Sequence, residues 1–573
     1  REETVVAAPI PEAARPPREA EKIESSEEAY LTGLHLEQYR HANFDPTAYY
    51  TRAIELDASD SRSNNALGMW FLRRSRFDEA AKFFEFAIHS QKRFNPNPAN
   101  GEIFYHLGLA LLGQGRIKEA YDAFYKATWS AAIQDAAWFE CAKISTTENR
   151  LEDALFEVEK SLSRNNRNYK ALGLRIYLLR RSGQSGLALT SIETVVQNDP
   201  FHVIGQIEKA LISSDDSGIQ DIIQNKGLSV GMLEPAVFDY VSFGAYSEAL
   251  RLIELCLQLM PGNILFTYVK AWIEHKSGND SRASLSKAMS CTIDYAFPKR
   301  VEWFAIFSHA LSVNENDYKA HHLFGNFWYD KKQYDLAEQH WQTAIRHQPL
   351  FAASLRNLAI VSYNHNNDPE AAYSYIKSAF LLDSQSARLL LEQDQLAALL
   401  GVSVNTRRYE LLRHLQLVEE RDDLYLELIA LYNLSGNFDL ALQLLKKRKF
   451  HPWEGGEGKV IGQFRISLIS KAFGCLAAND PQCAIQLLEE SLSPPDTIGE
   501  AKLPLAQDQD VFYLLGCAWA MLGQTKQSRL YFKKASEGEL EVGEAFFYND
   551  TQADKVLYQG LAWARLGQKS KAE

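Results

Sequence analysis

Apolar residues recur along most of this chain three or four positions apart, the spacing that lays one face of a helix against a neighbour, and no stretch alternates like a strand. Leu107-Gly108 is followed by Ala120, Phe124 and Ala127, and Leu67-Gly68 is followed at the same offsets by Ala80, Phe84 and Ala87. The frame returns at Phe324-Gly325, with Trp328, Ala337, Trp341, Ala344 and Pro349, and at Leu515-Gly516, with Trp519, Phe532 and Ala535. The apolar residue and the aromatic four positions on share one face of a first helix. Gly and Ala mark where an antiparallel pair crosses most closely. The second-helix aromatic and the final Ala are expected to pack on the next repeat, and Pro ends the unit.

The small residue of the second helix reads Ala80, Ala120, Ala154, Ala188, Ala249, Ala283, Ala337, Ala371, Ala441, Ala484, Ser528 and Ala572. Four of these steps (120 to 154, 154 to 188, 249 to 283, 337 to 371) span 34 residues. The pattern resembles the tetratricopeptide (TPR) signature, whose period is about 34 residues. It predicts an all-α fold, a right-handed superhelical solenoid of TPR-like antiparallel helix pairs. Turn signals fall between helices at Gly113 and Gly115, Ser182-Gly183, Ser277-Gly278, Ser435-Gly436, Leu522-Gly523 and Leu566-Gly567. The expected organisation is a Pro/Glu-rich linker at 1–22, a sub-array at 23–212, an irregular joint at 213–235 and a central sub-array at 236–383. An off-frame helical segment follows at 384–421, then a C-terminal sub-array at 422–573. Ala572 takes the second-helix position, so the last pair is expected to be truncated. Ser528 and Lys287 depart from the small-residue pattern at positions that tolerate it.

At 573 residues the chain exceeds what one compact core supports. Hydrophobic residues make up 46% and charged residues 23%, the composition of a folded chain and not of a disordered one. A net charge of -12 gives no general basic face for nucleic acid, and no apolar run reaches the roughly 18–20 residues of a membrane span. Cys141, Cys256, Cys291, Cys475, Cys483 and Cys517 form no Cys-x-x-Cys pair and are expected as small buried residues in a reducing compartment. No signal peptide is visible after Arg1. The native N-terminus is expected upstream, and the location is expected to be cytoplasmic.

The stretches KIESSEEAY (22–30), NNALG (64–68), AYDAFYKA (120–127), FHPWEGGEGKV (450–460) and YND (548–550) resemble one family of large microbial proteins. In that family an N-terminal domain of unknown function, a mutarotase-like β-sandwich, precedes a TPR array. The resemblance implies such a domain upstream of residue 1 and, by analogy of fold, a link to carbohydrate. It carries no catalytic residue onto this chain.

Candidate chemistry is thin. The Gly-rich run at 454–459 fails as a phosphate loop: Trp453 stands where a Walker loop needs its first Gly, and Val460 where it needs Ser or Thr. Glu454 and Glu457 beside Trp453 echo the paired carboxylates and aromatic face of a glycosidase, yet both acids share one loop with no scaffold to fix their separation. His321, His322, His340 and His347 complete no metal set and read as structural or surface residues.

Two non-catalytic sites remain. In the groove that first helices line, Lys319, His322 and Asn326 from one repeat and Arg356, Asn357 and Tyr363 from the next resemble a carboxylate clamp for peptides. His322 stands where Lys is usual, and Arg388 lies off the frame. The loop at 450–460 is a candidate docking element, with Trp453 as anchor and Glu454, Glu457 and Lys459 as its polar rim. The function expected is a non-catalytic, cofactor-free protein-interaction scaffold, part of a larger protein, binding protein or peptide and neither nucleic acid nor membrane. The alternative is an accessory helical domain of a carbohydrate-active enzyme whose catalytic β-sandwich lies upstream.

Overall fold

The computed structural model of the chain describes residues 16–41, 43–93, 95–98, 100–213, 230–451, 453–502, 506–543 and 550–573. Thirty-one α-helices and no β-strand occur among the described residues. Most helices run antiparallel to the next and stack on the pair that follows, so the fold is an all-α array of repeated helix pairs. It divides into two compact units, Arg1–Gln348 and Pro349–Glu573. Most of the joint expected at 213–235 and of the linker at 1–22, with Tyr548 and Asn549, lies outside the described residues.

The crossing of each pair follows from the frame. Gly68 faces the ring of Phe84, Gly108 that of Phe124, Gly325 that of Trp341 and Gly516 that of Phe532, and a Cβ at Gly108 would stand 2.6 Å from Phe124. The second-helix aromatic therefore packs first on the glycine of its own pair, and only then on the next repeat, as Phe84 does on His106 at 5.6 Å between ring centroids. Tyr50 meets Gly33 in the same way, which makes Ser26–Gln38 and Pro46–Leu56 a regular opening pair. Where Ser528 replaces Ala at the crossing, its hydroxyl donates to the Gly516 carbonyl at 2.9 Å, so the polar group is satisfied inside the contact.

Two members of the small-residue series need correction. Ala283 is exposed and Ser284 takes the buried position; Ala371 is half-buried and Ala372 is fully buried. In both places the turn before the second helix shifts the buried position by one residue, so those two steps span 35 residues and not 34.

Helix starts and stops are written locally. Asp45-Pro46, Asp368-Pro369 and Asp480-Pro481 each place a capping carboxylate before a proline in the first turn. Seven residues after each crossing position stands a residue of positive φ: Gly115 after Gly108, Asn149 after Ala142, Gly183 after Ile176, Lys332 after Gly325 and Gly523 after Gly516. The left-handed step turns the chain back on itself.

In the first unit one described helix departs from the plain pairing. Trp303–Val313 packs on both Ile264–Lys276 and Tyr318–Asp330, the place a second helix would hold, while the short Arg282–Ser290 precedes it. The first unit also curls back on itself. Phe77 meets Phe304 edge-on at 5.7 Å between centroids, and the Arg76 guanidinium donates to Gln333 Oε1 at 2.8 Å.

Lys459–Ala477 is 19 residues long with a mean hydropathy of 1.3, enough by length and composition to cross a membrane, where none was expected. It is the first helix of a repeat, burying Phe464, Leu468 and Ala472. The cysteine reading also changes. Cys475 and Cys483 are half-buried and joined as a disulfide, because the turn at Asn479 folds the two helices together and brings their Cα atoms to 5.9 Å. Cys141, Cys256 and Cys291 are buried thiols as expected, and burial pushes Cys256 up to about 12.

Candidate functional site

First helices of the first unit converge on a cavity of about 320 Å³. Tyr105 comes from Glu102–Gly113, Phe139, Glu140 and Lys143 from Gln134–Thr147, and Lys170 from Tyr169–Arg181. Phe238 and Asp239 come from Val230–Ser242, and Arg300 and Glu302 from the segment before Trp303. Taking Gly108, Ala142 and Gly325 as crossing points, Tyr105, Phe139 and His322 share one offset, and Lys143 and Asn326 share another.

The walls combine aromatic faces with ion pairs. Lys143 Nζ lies 2.6 Å from Glu140 Oε2, Lys170 Nζ 2.9 Å from Asp239 Oδ1, and Arg300 2.8 Å from Glu302 Oε1. The Arg300 guanidinium also lies 4.4 Å from the centre of the Phe238 ring. Each cation on this wall thus has an acid beside it, and burial pushes the Tyr105 phenol well above its usual range. The Lys170–Asp239 and Arg300–Glu302 pairs are partly exposed and worth little on their own, whereas Glu140 is buried beside Lys143.

The clamp residues read from sequence divide between the units. In the first, Lys319 Nζ donates to the carbonyls of Met289, at 2.8 Å, and of Cys291. His322 is buried, its imidazole pushed down to about 3 by desolvation, and it lies 3.2 Å from the Asn326 amide. Trp341 Nε1 donates to the His322 carbonyl and to Asn326 Oδ1, both at 3.1 Å, so both groups serve the helix crossing. In the second unit Arg356 forms a two-pronged pair with Glu392 at 2.8 and 2.5 Å, joined by Arg388 at 3.0 Å. Asn357 is half-buried and Tyr363 exposed. Sequence spacing could not show that Lys319 and Arg356 are already engaged, since Arg356 and Glu392 are 36 positions apart.

The loop at 450–460 is clasped by its own array. Phe450 N–H donates to the Ile498 carbonyl at 3.0 Å, and His451 N–H to Asp422 Oδ2 at 2.7 Å. Gly458 and Ile461 N–H donate to the two oxygens of Glu500 at 2.6 and 2.8 Å. A carboxylate of the chain thus occupies the helix N-terminus where a phosphate would bind. Trp453 is half-buried, with Gly456 so close that a Cβ there would collide with the indole, while Glu454, Glu457 and Lys459 are exposed.

His321 and His340 approach to 2.8 Å between Nδ1 atoms, and the His347 ring lies 6.2 Å from that of His321. Burial pushes His340 down to about 4. Among the described residues no group of three or more His, Cys, Asp or Glu is arranged to hold a metal ion.

A family model described as "Tetratricopeptide repeat" matches residues 65–137 and 329–382, so the chain carries TPR repeats. Among solved structures it is similar to YrrB, described as a TPR protein with an unusual peptide-binding site, at 20% identity and a TM-score of 0.28, over 32% of this chain and 92% of that one. It is also similar to pilF of Pseudomonas aeruginosa, at 20% identity and 0.31, over 38% and 96%. A tetratricopeptide repeat protein from Parabacteroides merdae ATCC 43184 is similar at 15% identity and 0.26, over 56% and 98%.

Proposed function

We propose that this chain is a non-catalytic protein-interaction scaffold whose first unit holds an extended segment of a partner protein in the cavity between its first helices. The observation that carries this reading is the convergence of Tyr105, Phe139 and Phe238 with three ion pairs on one cavity of about 320 Å³. Aromatic faces offer area to a partner side chain at low entropic cost, and the paired charges offer both donors and acceptors to its backbone. A rigid helical wall limits what must be ordered on binding.

The test is a selection of displayed peptides on the immobilised chain, run in parallel on a Tyr105→Ala/Lys170→Glu variant whose helicity is checked by circular dichroism. Peptides retained by the parent and lost by the variant support the reading. Equal recovery on both contradicts it.

A second reading concerns the loop at 450–460, which we infer to dock a neighbouring β-sandwich domain of the same parent protein. In that case the array serves as an accessory to that domain, carbohydrate-active or not. Its support is the solvent-facing rim of Glu454, Glu457 and Lys459 around the half-buried Trp453. Titrating the separately expressed upstream domain against the chain and a Trp453→Ala variant tests it. Truncating such an anchor commonly costs about 2 kcal/mol or more, and an unchanged affinity rejects the docking role.

A further inference from the structure

The second unit of this acidic chain carries a basic surface groove. Thr525–Ala535 bears Lys526, Arg529, Lys533 and Lys534 and no acidic residue, in a protein whose net charge is -12. Three of these cations, with Lys571, line a groove of about 600 Å³ whose apolar surface includes Leu530 and Trp563. Leu530 is 48% exposed. Glu537 is the one carboxylate on the lining.

Several cations elsewhere in this unit are paired: Arg407 with Asp394, Arg465 with Asp508, Lys446 with Glu490 and Lys471 with Asp439. Among the described residues no carboxylate forms an ion pair with Lys526, Arg529, Lys533 or Lys571. Four cations gathered around the exposed Leu530 and the half-buried Trp563, with Glu537 the one carboxylate on the lining, repel one another. An anionic, partly apolar occupant relieves both costs.

We propose that this groove docks a short acidic segment of a partner protein, its carboxylates on the four cations and one apolar side chain between Leu530 and Trp563. A nucleic acid fits less well. A long polyanion would extend past the groove along a chain whose net charge is -12, whereas a short segment need span only the four cations. Lysine and arginine reach flexibly and tolerate variation in register, so recognition rests on charge density and one anchor, not on a fixed sequence. The site is independent of the cavity in the first unit.

The experiment is fluorescence anisotropy on the full chain with a labelled 12-residue probe, six glutamates flanking a central Leu-Phe pair. The controls are the same peptide with lysine for glutamate and a 12-nucleotide single-stranded RNA. The account expects saturable binding of the acidic probe that weakens as salt is raised. It expects a loss of about tenfold or more for Arg529→Glu/Lys533→Glu, and a smaller loss for Leu530→Ser. All three side chains are solvent-facing, so folding is retained, and circular dichroism checks this. Unchanged affinity in the double variant, equal binding of the lysine peptide, or tighter binding of the RNA overturns the proposal.

Discussion

A Cβ on Gly325 would stand 2.5 Å from Cδ1 of Trp341, so the indole occupies the space a side chain would need. The ring cannot slide away, because its Nε1 is held by the His322 carbonyl and Asn326 Oδ1. Gly516 meets Phe532 at 2.6 Å in the same way, but that ring has no polar anchor. Gly325→Ala should therefore destabilise by about 1–3 kcal/mol and Gly516→Ala by less. Urea unfolding of the two variants checks this, and an equal or reversed order would refute the part given to the hydrogen bonds.

The helix crossings make a related prediction. Ala120 and Ala337 have no exposed surface, and three added carbons have nowhere to go. Ala120→Leu and Ala337→Leu should each cost about 1–3 kcal/mol, with distant repeats little affected. Thermal melts matching the parent for both would show that the crossings are not tight.

Gly183 isolates the backbone from packing. Its φ is +74° and a Cβ there would meet nothing within 4 Å, so Gly183→Ala tests conformation alone. The expected loss is about 1 kcal/mol. Lys332 holds φ +56° at the matching position, and Lys332→Gly should be neutral or stabilising. Opposite signs in a pair of denaturant titrations support the account; destabilisation by both changes contradicts it.

These turns show what the sequence made legible. Gly115, Gly183 and Gly523 announce themselves, because glycine adopts the left-handed region without a Cβ clash. Asn149 and Lys332 do the same work without that signal. The fold class was readable because small residues at a fixed spacing have one economical explanation in packed helices. The one-residue shift to Ala372 was not, since it depends on how the turn before it closes. The cavity followed the same frame at Tyr105, Phe139 and Lys143, but only the curl that brings Phe77 to Phe304 shows which repeats converge. The pairing of Cys475 with Cys483 was likewise hidden in tertiary geometry.

Acid sensitivity should follow from buried imidazoles. Burial pushes His106 down to about 4, and its Nδ1 lies 2.8 Å from Asn65 Oδ1. An imidazole that takes its proton near pH 6.5 in the unfolded chain, but only near 4 in the fold, leaves the unfolded state binding more protons between those values. The stability from keeping it neutral is full above about pH 6.5 and falls as the pH drops toward 4, by up to about 3 kcal/mol. His340 is lowered the same way, so His106→Gln should flatten that limb without removing it. An unchanged slope between pH 7 and 4.5 in paired urea titrations would contradict the assignment.

The central claim, that partner protein binds among the first helices of the first unit, is tested most directly by photo-cross-linking. A p-azidophenylalanine in place of Tyr105 keeps the ring and lines the cavity, while one in place of Phe156, 57% exposed on the second helix Leu151–Arg164, samples a site outside it. Each is irradiated with a peptide recovered in the selection, and the adduct is mapped by mass spectrometry. The account predicts a peptide adduct at position 105 and none above background at 156. An adduct at 156 with none at 105 would contradict it.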